Sequence, residues 1–477
     1  MTRHPLEGFG AQFNTNLFTT AGEPRPLTAQ QLEQLQAAID NLQPGFSRIL
    51  VRRGLRADTA AGRRAPEFIA LLKTIELAQN AGAELNLTYW GQGPYADERR
   101  LRALRWPNRS FRDWPDPTRR KWPPQLIDPR GITQPRVLME RFAGVLQEIR
   151  RRGFDCVTSV TIQNEVNGAG VDIAKQGDQY LSMRFYELLY RFLDAELRRL
   201  NLRDGIRFVA GDLVERGNST QDVWLRYLHR NMEVARPQFP SVLDGYSIHV
   251  YWEPSGGAQG FPAKPERRLA NLERTAGTLG LEAPISVTEY GVRQVRARVK
   301  PGSIDGVRID ESPLAAFQHG WFNAIAAQRG CVGLSKWVLS RTDRGAGFGE
   351  WGMLGTPAGG FQRFPVYRVT RLFSHFVPRG WLANGLSRIT AAVIASRFAA
   401  ADGSDHSVLV LNNATGGRRQ KVQGLRANQD YFVVAWNRDG LGSLAELPPL
   451  QSDGTGAATV QLPAHGIVGL STRNPGI

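Results

Sequence analysis

Val157-Thr-Ser-Val-Thr-Ile-Gln-Asn-Glu-Val166 is a short run of β-branched and apolar residues that breaks off at Asn164-Glu165, with Asn167-Gly168 directly after. A run this short, bounded by turn formers and rich in Val, Ile and Thr, reads as a strand buried on both faces, as in a parallel sheet. The carboxylate of Glu165 then emerges where the strand stops. Pro284-Ile-Ser-Val-Thr-Glu289-Tyr-Gly291 repeats the pattern far along the chain. Two carboxylates at the C-terminal ends of two parallel strands point to the active face of a (β/α)8 barrel.

The sequence on either side supplies the rest of such a barrel. Gly8-Phe-Gly-Ala-Gln-Phe-Asn14 reads as a first strand. Thr28 and Gln31 have capping-box spacing ahead of Leu32, Leu35, Ile39 and Leu42 at helical intervals. Phe46-Ser-Arg-Ile-Leu-Val-Arg52 and Leu85-Asn-Leu-Thr-Tyr-Trp90 read as strands two and three, separated by a helix that opens at Pro66. Helices are expected over 137–151 and 180–200. A fifth strand is expected at Ile206-Arg-Phe-Val-Ala-Gly-Asp212, and a sixth at Val242-Leu-Asp-Gly-Tyr-Ser-Ile-His-Val-Tyr251. Helices over 220–234 and 266–279 flank the sixth strand. Ser312-Pro313 caps another helix, and Val332-Gly-Leu-Ser-Lys-Trp337-Val-Leu is the eighth strand. A helix over 365–376 completes eight alternating pairs, the expected count for a barrel. Beyond about Arg379 the rhythm changes to short strands between Gly, Asn and Asp turns, the pattern of a β-sandwich. The expected fold class is therefore α/β, a (β/α)8 TIM barrel over 1–378 followed by a C-terminal β-sandwich over 379–477.

Composition sets bounds on function. At 477 residues with 42% hydrophobic and 9% aromatic content, the chain can bury a large core, and no stretch has the length and apolarity of a membrane span. The opening Met1-Thr-Arg-His-Pro-Leu-Glu-Gly has no apolar signal core, which leaves a cytoplasmic location or secretion with a leader removed. Cys156 and Cys331 border apolar strands and read as buried free thiols. The seven His are scattered, with no HExxH or CxxC, so no metal or other cofactor is expected. No Gly-rich phosphate loop or GxSxG elbow occurs in the needed context. A net charge of +16 favours acidic partners. A long segment over 91–134 mixes Trp106, Trp114 and Trp122 with many Arg, a composition suited to anionic polysaccharide, to single-stranded nucleic acid or simply to a solvated loop.

Asn164-Glu165 ending strand four, His249-x-Tyr251 on strand six, Glu289 ending strand seven and Trp337 on strand eight, in that order, resemble the retaining (β/α)8 glycoside hydrolases. Their acid/base and nucleophile lie on strands four and seven, as in glycoside hydrolase families 5, 30 and 39. The resemblance covers the barrel and continues into the sandwich. It implies that Glu165 is the general acid/base and Glu289 the nucleophile of a double displacement on a β-linked poly- or oligosaccharide. It further implies that Asn164 binds the sugar 2-hydroxyl, Tyr251 donates to Glu289, His249 orients Glu165, and Arg48 pairs with the nucleophile. Trp337 and Trp90 would be stacking faces for the sugar, each with a plain reading as a core aromatic. Arg52, two turns of the pleat beyond Arg48, is the rival arginine, and Gln12 and Asn14 could line the pocket. The expected partner is carbohydrate, with a tilt to acidic glycans from the charge, and neither nucleic acid nor membrane insertion is expected. A carbohydrate-binding barrel without turnover is the alternative, and a basic nucleic-acid-binding protein a remote one.

Overall fold

A computed structural model describes residues 4–20, 23–52, 54–90, 135–167, 183–214, 220–235, 239–254, 260–293, 303–304, 307–341, 351–438 and 442–477. Eight parallel strands close into a barrel: β1 (Gly8–Phe13), β2 (Phe46–Arg52), β3 (Glu84–Trp90), β4 (Val157–Ile162), β5 (Arg207–Leu213), β6 (Gly245–Trp252), β7 (Ile285–Val292) and β8 (Cys331–Lys336). Each strand pairs with its sequence neighbours, and β1 pairs with β8 to seal the ring. The principal helices are α1 (Ala29–Leu42), α2 (Pro66–Asn80), α3 (Pro135–Arg151), α4 (Met183–Arg199), α5 (Thr220–Leu228), α6 (Ala263–Leu279), α7 (Pro313–Gln328) and α8 (Pro365–Phe376).

Local chemistry sets several of these boundaries. Thr28 Oγ1 accepts from the Gln31 N–H and Gln31 Oε1 accepts from the Thr28 N–H, so the capping box forms as the spacing requires. Leu35, Ile39 and Leu42 of α1 are buried against the barrel, but Leu32 is exposed, one turn too early to reach it. Gly10 is where β1 and β2 approach most closely: a Cβ there would run into the Phe46 carbonyl. At the N-terminal end of the barrel Glu7 accepts from Arg207, which also reaches Glu84 at 3.4 Å. Cys156 and Cys331 are free thiols, half-buried and buried.

After α8 the chain forms a six-stranded antiparallel sheet from β9 (Leu382–Thr390), β10 (Val393–Ala399), β11 (His406–Asn412), β13 (Asp430–Trp436), β14 (Leu444–Gln451) and β16 (Gly466–Ser471), backed by a pair, β12 (Arg418–Gln423) and β15 (Ala457–Leu462). The alternation along these strands explains the layering. Val393, Val408, Val410, Val433, Val468 and Leu470 face the pair and enclose a small core with Val422 and Val460. Ile394, Leu409, Leu411, Val434, Trp436 and Ile467 face the other way and join the main core that runs through the barrel and its helices. No helix among the described residues is long and apolar enough to cross a membrane.

Candidate active site

The C-terminal ends of the barrel strands bring together residues from all parts of the chain. Gln12 sits opposite Arg48 in the β1–β2 ladder, and His249 opposite Glu289 in the β6–β7 ladder, with Tyr251 two residues on. Glu289 lies within β7 rather than at its end, because the strand runs on to Val292. Glu165 lies three residues past β4, in a turn where Gln163 (φ 68°) and Glu165 (φ 48°) both take left-handed backbone angles. Such angles cost a non-glycine residue about 1–3 kcal/mol each and persist only where surrounding contacts impose them. One such contact is Asn167, whose side chain donates to the Val214 carbonyl (2.8 Å) and accepts from the Val214 N–H (2.9 Å). It thereby ties the turn after β4 to the end of β5.

Arg48 is fully buried at the floor of the site and has all five N–H donors engaged. Nε donates to Thr88 Oγ1 (2.8 Å), Nη1 to Gln12 Oε1 (2.9 Å) and to Glu289, and Nη2 to Asn164 Oδ1 (2.6 Å) and to Asp212. Arg52 lies at the exposed end of the same strand. The side chain of Asp212 is also fully buried, and its backbone is left-handed (φ 46°). Its N–H donates to Ser247 Oγ (2.7 Å) and its Oδ1 accepts from Thr288 Oγ1 (2.5 Å). Burial alone would raise the Asp212 carboxyl, but the charges of Arg48 and His249 outweigh it and hold the group well below the usual carboxylate range.

His249 touches every acid of the site. Its Nδ1 lies 3.2 Å from Glu165 Oε1 and 3.4 Å from Glu289 Oε2, and its Nε2 lies 3.6 Å from Asp212 Oδ1, at ion-pair rather than hydrogen-bond distance. Burial works against a charged imidazole, yet the carboxylates of Glu289 and Asp212 prevail and push its pKa up to about 9. The Tyr251 hydroxyl donates to Glu289 Oε2 (2.8 Å), and burial with the adjacent Glu289 charge holds the phenol well above its ordinary value. An oxygen of Glu165 and an oxygen of Glu289 lie within 4.8 Å of each other and of a His249 nitrogen. That spacing alone would also fit a cation, but the buried guanidinium of Arg48 paired with Glu289 already brings positive charge there. The side chain of Glu165 is 19% exposed against 5% for Glu289, so Glu165 is the nearer to solvent.

Glu165, Glu289, Asn164, His249, Tyr251 and Arg48 thus lie together at this end of the barrel. Trp337 follows β8 directly and is half-buried, with its N–H donating to the Tyr290 carbonyl (3.3 Å). The side chain of Trp90 and the segment 91–134 with its three tryptophans lie outside the described residues. Gln12 is in the site through Arg48, whereas the Asn14 amide donates to the Ser340 carbonyl (3.4 Å). Three further residues at this end of the barrel escaped the sequence analysis. Asp212 ended an expected strand like the two glutamates, which is the signal that could have found it. Trp351 is half-buried and donates from Nε1 to the Val292 carbonyl (3.1 Å) at the end of β7. Lys336 is buried, its pKa lowered to about 7 by burial, and Nζ donates to the carbonyls of Trp337 (2.5 Å) and Trp351.

No family model matches the chain, and no curated protein matches it in sequence. Solved structures do resemble it. Xylanase C of glycoside hydrolase family 30 from Talaromyces cellulolyticus superposes with a TM-score of 0.64 at 14% identity, over 98% of this chain and 97% of that one. The chain has the barrel-and-sandwich fold of these hydrolases. A family 30 endoxylanase from Clostridium papyrosolvens gives a TM-score of 0.60 at 12% identity over 98% and 97% of the two chains. An α-L-arabinofuranosidase from Thermotoga maritima gives 0.60 at 11% identity over 98% and 97%. The barrel and the sandwich are therefore shared as one arrangement from end to end.

Proposed function

We propose that the protein is a retaining glycoside hydrolase in which Glu289 attacks the anomeric carbon and Glu165 shuttles the proton. The observation that carries this reading is the approach of the two carboxyl groups to within 4.8 Å. Retaining enzymes hold theirs about 5–5.5 Å apart, while inverting enzymes need about 6.5–9.5 Å to admit a water. The surroundings divide the labour between the two acids. Glu289 takes hydrogen bonds from Arg48 and Tyr251, which fix its carboxylate in the orientation a nucleophile requires. Glu165, nearer to solvent, is placed to protonate a departing oxygen and then deprotonate the incoming water. Asn164 has its carbonyl committed to Arg48, so its Nδ2 is the donor offered to the sugar 2-hydroxyl. Trp337 and Trp351, half-buried past the ends of β8 and β7, are the aromatic faces offered to a pyranose ring.

The structural neighbours include xylanases and an arabinofuranosidase, and a glycan substrate is the reading consistent with them and with the carboxylate pair. The net charge of +16 favours an acidic poly- or oligosaccharide. The test is turnover of a panel of aryl β-glycosides by wild type and Glu289→Gly. Wild type is expected to hydrolyse at least one of them. Glu289→Gly is expected to lose at least about 10⁴-fold in kcat and to regain activity with azide, giving a glycosyl azide of inverted configuration. A non-catalytic carbohydrate binder would turn over none with either protein.

A further inference from the structure

The search for groups that the double displacement does not use leads to the third carboxylate. Asp212 is deeper than either glutamate and has no route to the anomeric carbon, since Arg48, Thr88 and Thr288 close around it. Yet it contacts Arg48, which grips Glu289, and faces His249, which lies between Glu165 and Glu289. The geometry at His249 restricts what that ring can be. A neutral imidazole has one N–H and one lone pair, so it would aim the lone pair at a carboxylate on one side or the other. Here Nδ1 lies 3.2 and 3.4 Å from two carboxylates and Nε2 lies 3.6 Å from a third. With carboxylates facing both of its nitrogens, the ring presents a favourable charge in both directions only as the imidazolium, with a proton on each nitrogen.

We infer that Asp212 is a positioning residue: the fixed counter-charge that keeps His249 doubly protonated and Arg48 aimed at Glu289. Two buried cations, Arg48 and His249, then match two buried anions, Asp212 and Glu289. Glu165, the nearest of the three acids to solvent, is the fifth group and the one placed to carry the proton that catalysis moves. The charged and titratable groups facing His249 are Glu165 after β4, Asp212 on β5 and Glu289 on β7. Arg48 on β2 and Tyr251 on its own strand lie beyond them, and Arg268 on α6 donates to the His249 carbonyl at 3.4 Å. Among these Asp212 is the only carboxylate on the Nε2 side.

The catalytic consequence rests on the hydrolase reading above, but the state of the ring does not, and the experiment separates them. The full chain is labelled at histidine, the His249 resonances are assigned by their loss in His249→Gln, and the ring is titrated by NMR. Wild-type His249 is expected to remain protonated through neutral pH, with its pKa falling by about 1–3 pH units in Asp212→Asn. Thr288→Val keeps the Asp212 charge and frees Oδ1 from its hydroxyl donor, so in this near-isosteric variant the ring pKa is expected to rise. It decides the matter should Asp212→Asn fail to fold. A neutral ring at pH 7 in wild type, an unchanged titration in Asp212→Asn, or an unchanged or lower pKa in Thr288→Val would overturn the inference. Expected titrations in a protein that hydrolyses no glycoside would sustain Asp212 and sink the hydrolase. Turnover with a ring indifferent to Asp212 would do the reverse.

Discussion

His249 ties the site's chemistry to the stability of the fold. Its pKa moves from 6.5 to about 9 on folding, so the native state holds the proton more tightly than the unfolded chain. The stabilisation is complete below pH 6.5 and is lost as pH rises toward 9. The full effect is on the order of 3 kcal/mol. Lys336 acts in the opposite sense over part of that range. Burial lowers its pKa from 10.5 to about 7, so its contribution improves as pH rises above 7. The informative quantity is therefore a difference. Urea unfolding of wild type and His249→Gln between pH 6 and 10 is expected to show the wild-type advantage shrinking steadily above pH 6.5. An advantage that grows with pH would show that His249 is neutral in the native protein.

At the scale of elements, most of the barrel was legible because its strands are apolar runs that end on polar residues. The capping box at Thr28 and the Ser312-Pro313 start of α7 announced helices by their own chemistry. What could not be read was how strand ends are held. Asn167 looks like any turn former in the sequence, yet it satisfies both backbone polar groups of Val214 and so joins the Glu165 turn to β5. Asp212 was hidden for a related reason, because a carboxylate that ends one strand does not reveal which residues of other strands it meets. Removing the Asn167 side chain leaves two backbone groups seeking partners, at about 1–3 kcal/mol for each that stays buried. Asn167→Ala is expected to lower stability by roughly 2 kcal/mol and to reduce kcat about 10-fold or more with KM little changed, since it loosens Glu165 rather than the binding surface. Steady-state kinetics with denaturant unfolding checks both. An unchanged kcat would mean that the turn is held by other contacts.

For the molecule as a whole, the division into barrel and sandwich was visible in the change of sequence rhythm near Arg379, but the continuity of the core was not. Alternate residues of the six-stranded sheet belong to the barrel's own core, and Gly320 on α7 marks the contact. A Cβ there would lie 2.5 Å from Ile467 Cδ1 and 3.0 Å from Val369 Cγ1. Gly320→Leu is therefore expected to overpack the seam and cost about 1–3 kcal/mol, while thermal unfolding remains a single cooperative transition. Two separate transitions in wild type would contradict a shared core. The same continuity explains why the structural neighbours match over both parts together.

The central claim is that Glu165 and Glu289 are close enough to act on one sugar through a covalent intermediate. The most direct measurement is the anomeric configuration of the first product, followed by proton NMR during hydrolysis of whichever β-glycoside wild type turns over best. The β-anomer should appear first and then mutarotate. Initial release of the α-anomer, or no turnover of any glycoside by the wild-type protein, would contradict the account.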